Sequence, residues 1–165
     1  KENEKDFSFP KGAGAKNHEG ALMQIDHALI TFMGAKMDNQ YEYRGDLKSL
    51  PEPVRVPIGD SIIPDLEKRQ ITIEPGKGDS TNVSKLIRDK NGSVITTTIL
   101  AETFDRNPEF KGKIKIHPVP INSQPYYLAF YKSSHFASGA QKTLWQELSN
   151  VRNDYLFMLS LFAQY

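Results

Sequence analysis

Val54-Arg55-Val56-Pro57-Ile58-Gly59-Asp60-Ser61-Ile62-Ile63-Pro64-Asp65-Leu66 is the stretch on which the fold turns. Its β-branched opening, Val54 to Ile58, reads as a strand; Gly59-Asp60-Ser61 reads as a tight loop, and Pro64 stands where a helix begins. A strand, a loop and a helix N-terminus in such close succession form the repeating unit of an α/β protein. The junction aims unpaired backbone N–H groups and the positive end of a helix dipole at one point, which suits a carboxylate or other anion. It is also the ordinary join of any strand to a following helix. Ligands of open α/β sheets gather at the carboxyl ends of strands, so the loop is the first place to look for a site.

Downstream, strands and helices alternate. A short helix over 63–68 leads to a strand over 70–74, closed by Pro75-Gly76. Asp79, Ser80, Thr81 and Asn82 offer N-caps for a helix that turns Val83, Leu86 and Ile87 inward, and Asn91-Gly92 stops it. Ser93 to Leu100, SVITTTIL, reads as a buried central strand, with a brief helix over 101–106 after it. Strands follow over 113–121 and 126–131, and the pattern then predicts two helices, 137–148 and 151–163. This βαβαβ order predicts a mainly parallel sheet with helices on both faces. Upstream, Phe7-Ser8-Phe9-Pro10 is an apolar island in a polar, glycine-bearing segment. Residues 21–33 fit two patterns: apolar positions 21, 22, 25, 28, 29, 32 and 33 follow a helical period and lean to helix, while His27 to Met33 alone reads as a strand. Residues 35–53 form a polar connection, with a helical turn at Asp46 to Leu50 before Pro51 and Pro53 break the chain.

The chain has 165 residues, enough for one ordinary domain or two small ones. With 38% hydrophobic and 25% charged residues it is globular, and a net charge of +1 supplies no field to gather nucleic acid or an anionic membrane. The absence of cysteine excludes thiolate metal sites, disulfides and a cysteine nucleophile. No run approaches the ~20 apolar residues of a membrane span. Lys1-Glu2-Asn3-Glu4-Lys5, without an initiator methionine or signal peptide, leads us to expect a mature or truncated piece of a longer product.

Three phrases then combine. Phe7-Ser8-Phe9-Pro10, followed by Asp46-Leu47-Lys48-Ser49-Leu50 and the Val54-to-Ser61 strand and loop, resembles the extracellular solute-binding proteins of amino-acid ABC transporters, the type II periplasmic class. There an F-S-x-P stretch closes the first lobe, and a D-L-K-x-L turn precedes the strand that opens the second. Gln124 to Lys132, QPYYLAFYK, is similar to the family's returning strand, and Leu144-Trp145-Gln146-Glu147-Leu148 and Arg152-Asn153-Asp154-Tyr155 stand where its last helices do. The resemblance covers about 160 residues and implies a periplasmic binding protein-like α/β fold. It divides the chain into a crossing segment of a partial first lobe (1–45), a second lobe (46–119), and a hinge return with first-lobe helices (120–165). It implies a non-enzymatic, cofactor-free periplasmic protein that closes on a small polar solute, an amino acid or carboxylate, for a permease. The runner-up is a ligand-sensing or ligand-silent extracellular input domain of a membrane sensor. An incomplete first lobe would expose the apolar faces of the last helices, so extra chain, a homodimer or exchange of elements between copies is expected.

The candidate ligand contacts are Gly59, Ser61, Ile62, Thr98, Phe9 and Tyr126. Gly59 permits close approach, Ser61 adds a hydroxyl and the amides up to Ile62 complete a carboxylate cradle; the bland alternative is an Asx or Ser cap with nothing bound. Asp60 would repel an anion and is expected to cap or turn outward. Thr96, Thr97 and Thr98 present hydroxyls to the same edge or simply satisfy strand preference. Phe9 and Tyr126, with Phe7 and Tyr127, stack on a ligand or on one another. The family's aspartate after the central strand, which meets the ligand ammonium, is missing here; Glu102 is the nearest substitute. His18, His27, His117 and His135 lack metal-binding spacing, no G-x-S-x-G elbow occurs, and Gly12-Ala13-Gly14 lacks the strand a dinucleotide loop needs.

Overall fold

The computed structural model describes residues 4–13, 16, 18, 20–34 and 41–162. Gly14, residues 35–40 of the polar connection and Ala163 of the expected last helix lie outside the described residues. In chain order the strands are β1 (Phe7–Ser8), β2 (Met23–Phe32), β3 (Val54–Pro57), β4 (Ile73–Gly76), β5 (Ser93–Thr97), β6 (Ile114–Ile116), β7 (Asn122–Tyr126) and β8 (Phe130–Tyr131). The helices are α1 (Ile63–Lys68), α2 (Asp79–Asp89), α3 (Thr98–Arg106), α4 (Ser138–Asn153) and α5 (Tyr155–Phe162). The chain divides into two compact units: Lys1–Ile25 with Gln124–Tyr165, and Asp26–Ser123.

In the 26–123 unit the sheet order is β4-β3-β5-β2-β6, with β7 also paired to β2. β3 lies parallel to both β4 and β5, while β2 runs antiparallel to β5 and to β6. The α/β architecture is as read from the sequence, and the sheet is mixed because one antiparallel strand, β2, is inserted into it. That insertion also corrects the helical leaning for residues 21–33. Ala28, Leu29, Ile30 and Thr31 are all buried, because the strand is covered on both faces; a doubly buried strand loses its alternation, and its apolar run then matches a helical period by accident.

Alternate residues feed two cores. Ala28, Ile30 and Val94 meet Val83 and Leu86 of α2 and Ala101 and Phe104 of α3. Leu29, Val54, Val56 and Ile95 meet Leu66 of α1 together with Tyr43, Leu50 and Ile71. Arg55 points to the α2 side and is only 2% exposed. Its Nε donates to Glu74 (2.8 Å), one Nη to Asp89 (2.9 Å) and the other to the Asn91 carbonyl (2.8 Å), so the buried charge is fully met. Lys85 also donates to Glu74 (2.7 Å) and holds its carboxyl below the usual range; Arg88 does the same for Asp89.

Several boundaries move for local reasons. α2 starts at Asp79 with Gly78 before it and no side-chain cap, so the expected Asp79-to-Asn82 caps lie inside the first turns. α3 starts at Thr98 instead of residue 101, because the Thr97 hydroxyl accepts from the Leu100 amide. The strand expected over 113–121 is confined to β6; Pro118 and Pro120 have no amide to donate.

In the other unit β1 and β8 form a two-stranded antiparallel ribbon. Phe7 packs edge-on to Tyr131, and Phe130 contacts both Phe136 and Trp145. α4 is held by Gln141, which donates to the Phe136 carbonyl, and by the Trp145 indole, which donates to the Leu128 carbonyl (2.7 Å). The break between the last helices falls at Asp154 and not near residue 150, since the Asp154 carboxylate accepts the Phe157 amide (3.0 Å) and caps α5. No described helix is long and apolar enough to cross a membrane.

Candidate functional site

Because β3, β4 and β5 are parallel, their carboxyl ends lie along one edge of the 26–123 unit. The chain leaves β3 towards β4 on one side and returns to β5 on the other, so this edge contains the reversal of strand order at which α/β sheets open a crevice. The edge carries the 58–62 loop, Lys77-Gly78 and the Thr97–Thr98 start of α3.

The loop is closed by its own side chain. Gly59 takes φ +82°, which an L side chain adopts only with strain. The Asp60 amide donates to the Pro57 carbonyl (3.1 Å), the Ile62 amide to Asp60 Oδ1 (3.0 Å) and the Ile63 amide to the Asp60 carbonyl (3.2 Å). Asp60 is therefore an Asx turn, and its carboxylate occupies the Ile62 amide that the cradle reading assigns to a ligand. The Ile62 side chain belongs to the core and Ser61 is exposed. Ile58, at the end of β3, is 68% exposed and overhangs the same edge.

At the β5 end the Thr98 hydroxyl donates to the Asp26 carbonyl (3.1 Å). Its proton is committed and its lone pairs stay available to a donor. Ile99 and Leu100 are exposed beside it, whereas the Thr96 hydroxyl is buried without a protein partner. Glu102 lies one turn further along α3, 3.8 Å from Arg106. The edge thus holds hydroxyls, apolar side chains and an internally used carboxylate.

Phe9 and Tyr126 belong to the other unit, and each is about two-fifths exposed. Phe9 lines a cavity of about 580 Å³ with Leu22, Leu128, Trp145 and Leu148, and Tyr126 accepts the Leu22 amide on its carbonyl (2.7 Å). Arg152 borders this cavity and donates to the Ala21 carbonyl.

Sequence reading missed three buried polar groups. His117 is 2% exposed; its Nδ1 accepts the Tyr43 amide (3.2 Å), so Nε2 carries the hydrogen given to Thr31 Oγ1 (2.9 Å). Burial, with a smaller effect from Lys115, pushes its pKa down to about 4. His27 Nδ1 and both amide atoms of Asn82 are buried without protein partners. For Asn82 the signal was Gly76: a Cβ there would lie 1.8 Å from Asn82 Oδ1, so only glycine makes room for this amide. Among the described residues no group of three His, Asp or Glu side chains is placed to hold a metal.

No protein-family model matches the sequence, and no curated protein matches it. Solved structures do. The GluR0 ligand-binding core from Nostoc punctiforme in complex with L-glutamate superposes with a TM-score of 0.67 at 18% identity, covering 99% of this chain and 67% of that one. The VFT2 domain of Bordetella pertussis BvgS gives 0.64 at 15% identity, over 99% of this chain and 63% of the other. A putative binding component of an ABC transporter from Wolinella succinogenes, complexed with lysine, gives 0.66 at 14% identity, over 88% and 60%. The chain thus spans about two thirds or less of the length of these structures.

Proposed function

The chain has the fold of the type II periplasmic binding proteins, and on that premise we propose that it is a non-enzymatic, extracytoplasmic solute-binding protein. Its ligand is a small polar solute of the amino-acid or carboxylate class, delivered to an ABC permease. One observation carries this reading: the parallel ends of β3 and β5 bring the Gly59–Ile62 loop and Thr98 to a single edge at the reversal of strand order. Gly59 and Ser61 approach the solute, Ile62 offers its amide once Asp60 swings away, and Thr98 accepts from a donor on the ligand.

A second reading is the ligand-sensing or ligand-silent input domain of a membrane signalling protein. It is favoured by the closure of the Ile62 amide by Asp60, which leaves the loop satisfied with nothing bound, and by the likeness to the BvgS VFT2 domain.

Thermal melting against a panel of amino acids, small carboxylates and oligosaccharides separates the two. A bound solute raises Tm by several degrees at about a hundred times Kd, since it stabilises the folded state alone. Ser61→Ala and Thr98→Val then shrink that rise. Flat melts over the whole panel count against uptake and leave the contact domain.

A further inference from the structure

The cavity of about 580 Å³ beside α4 belongs to the Lys1–Ile25 and Gln124–Tyr165 unit, and none of its lining residues comes from the β3–β5 edge. Its size suits a small organic ligand, for which pockets of roughly 300–1,000 Å³ are usual. The Trp145 indole donates to the Leu128 carbonyl (2.7 Å) and meets Phe130 edge-on, so this wall is fixed before anything binds. Phe9, Leu22 and Leu128 extend the apolar lining. A Cβ on Gly20 would lie 2.6 Å from the Lys11 carbonyl, so glycine alone lets these segments meet and brings Lys11 to the cavity. Lys142 and Arg152 line it as well, and among the described lining residues none is acidic. Neither lysine pairs with a carboxylate among the described residues. Arg152 is partly buried, yet it donates only to neutral acceptors: the Ala21 carbonyl, Asn153 Oδ1 (3.2 Å) and the Ser149 hydroxyl (3.4 Å). Arg55, by contrast, is met by two carboxylates. Positive charge at the cavity is thus left uncompensated.

We propose that this cavity is a second binding site, which takes a small aromatic carboxylate. The ring of the ligand lies against Phe9 and Trp145, and its carboxylate meets the charge of Lys11, Lys142 and Arg152. Each half of the ligand answers one half of the lining. An inorganic anion would satisfy the cations and leave the aromatic walls in water, and an aromatic amine would face three like charges. The site goes beyond the solute reading above, because every residue it uses belongs to the other unit.

Trp145 is the single tryptophan of the chain and so reports on its own wall. Titration of the intact chain with phenylacetate should change its fluorescence saturably, with a Kd of about 0.1–1 mM, in keeping with so small a ligand. Phenylacetamide, which has the ring without the charge, should bind about tenfold more weakly, and phenethylamine and acetate should give no saturable change. Lys11→Gln combined with Lys142→Gln should weaken phenylacetate about tenfold at unchanged Tm, since both side chains are exposed and neither is in an ion pair. Lys68→Gln on α1, in the other unit, should leave it unchanged. Equilibrium dialysis of labelled phenylacetate measures the same affinity whether or not the indole responds. No uptake by dialysis up to about 10 mM, equal binding of phenylacetate and phenethylamine, or an affinity indifferent to the two lysine substitutions would overturn the proposal. Binding that Ser61→Ala abolishes and the lysine substitutions spare would place the carboxylate at the β3–β5 edge, which overturns this site while supporting the other.

Discussion

Replacing His117 by Gln should remove a specific component of the pH dependence of stability. In the folded chain His117 is neutral, with its Nδ1 facing the Tyr43 N–H; a proton added there would meet another hydrogen in a buried site. Its pKa is about 4 against an ordinary value of 6.5. The unfolded chain therefore takes up a proton at a pH where the folded chain refuses it. Stability is complete above about pH 6.5, falls as pH drops towards 4, and loses nothing more from this residue below that. At ~1.36 kcal/mol for each unit between the two values, the loss approaches about 3 kcal/mol. Glu74 and Asp89, held low by Lys85 and Arg88, lose their contribution only as pH falls below the ordinary carboxylate range, and they do so in both proteins. The assay is urea unfolding followed by far-UV circular dichroism between pH 7.5 and 4. His117→Gln should be less stable at pH 7.5 by about 1–3 kcal/mol, having disturbed two buried hydrogen bonds. The gap to the parent should then close or invert as pH approaches 4. A gap that stays constant across the range refutes the reasoning, whatever its size.

Other perturbations probe separate parts of the fold. Arg55→Met should cost about 3 kcal/mol in urea unfolding, because Glu74, Asp89 and the Asn91 carbonyl lose their common donor. Gly76→Ala should destabilise by about 1–3 kcal/mol through its clash with Asn82, and combining it with Asn82→Ala should recover part of that loss in a double-mutant cycle. Gly59→Ala meets nothing within 4 Å yet should cost about 1 kcal/mol, since its φ alone opposes a side chain.

The strand, loop and helix of 54–66 could be read directly, because their signals are local: β-branching, a turn triplet, and a proline in the first helical turn. What could not be read depends on partners far along the chain. Arg55 sits between two valines, where alternation argues for a solvent-facing charge, and it is buried only because residues 74, 89 and 91 converge on it. β2 looked helical because both of its faces meet cores assembled from the rest of the unit. At the edge, Gly59 announced itself through its residue type. The hydrogen bond from Thr98 to Asp26 spans 72 residues, and no pattern within either segment carries it.

The Asx turn at Asp60 gives the edge a tethered competitor. A solute carboxylate that seeks the Ile62 amide does not fill an open acceptor site; it exchanges places with a group of the same chemistry, held nearby at high effective concentration. In the solute-binding reading proposed above, such an exchange yields little net free energy, and discrimination among solutes would fall to contacts without an internal rival, the lone pairs of Thr98 first among them. Asp60→Ala should then convert the loop from a self-occupied turn into an indiscriminate anion seat, binding more solutes and choosing less well between them.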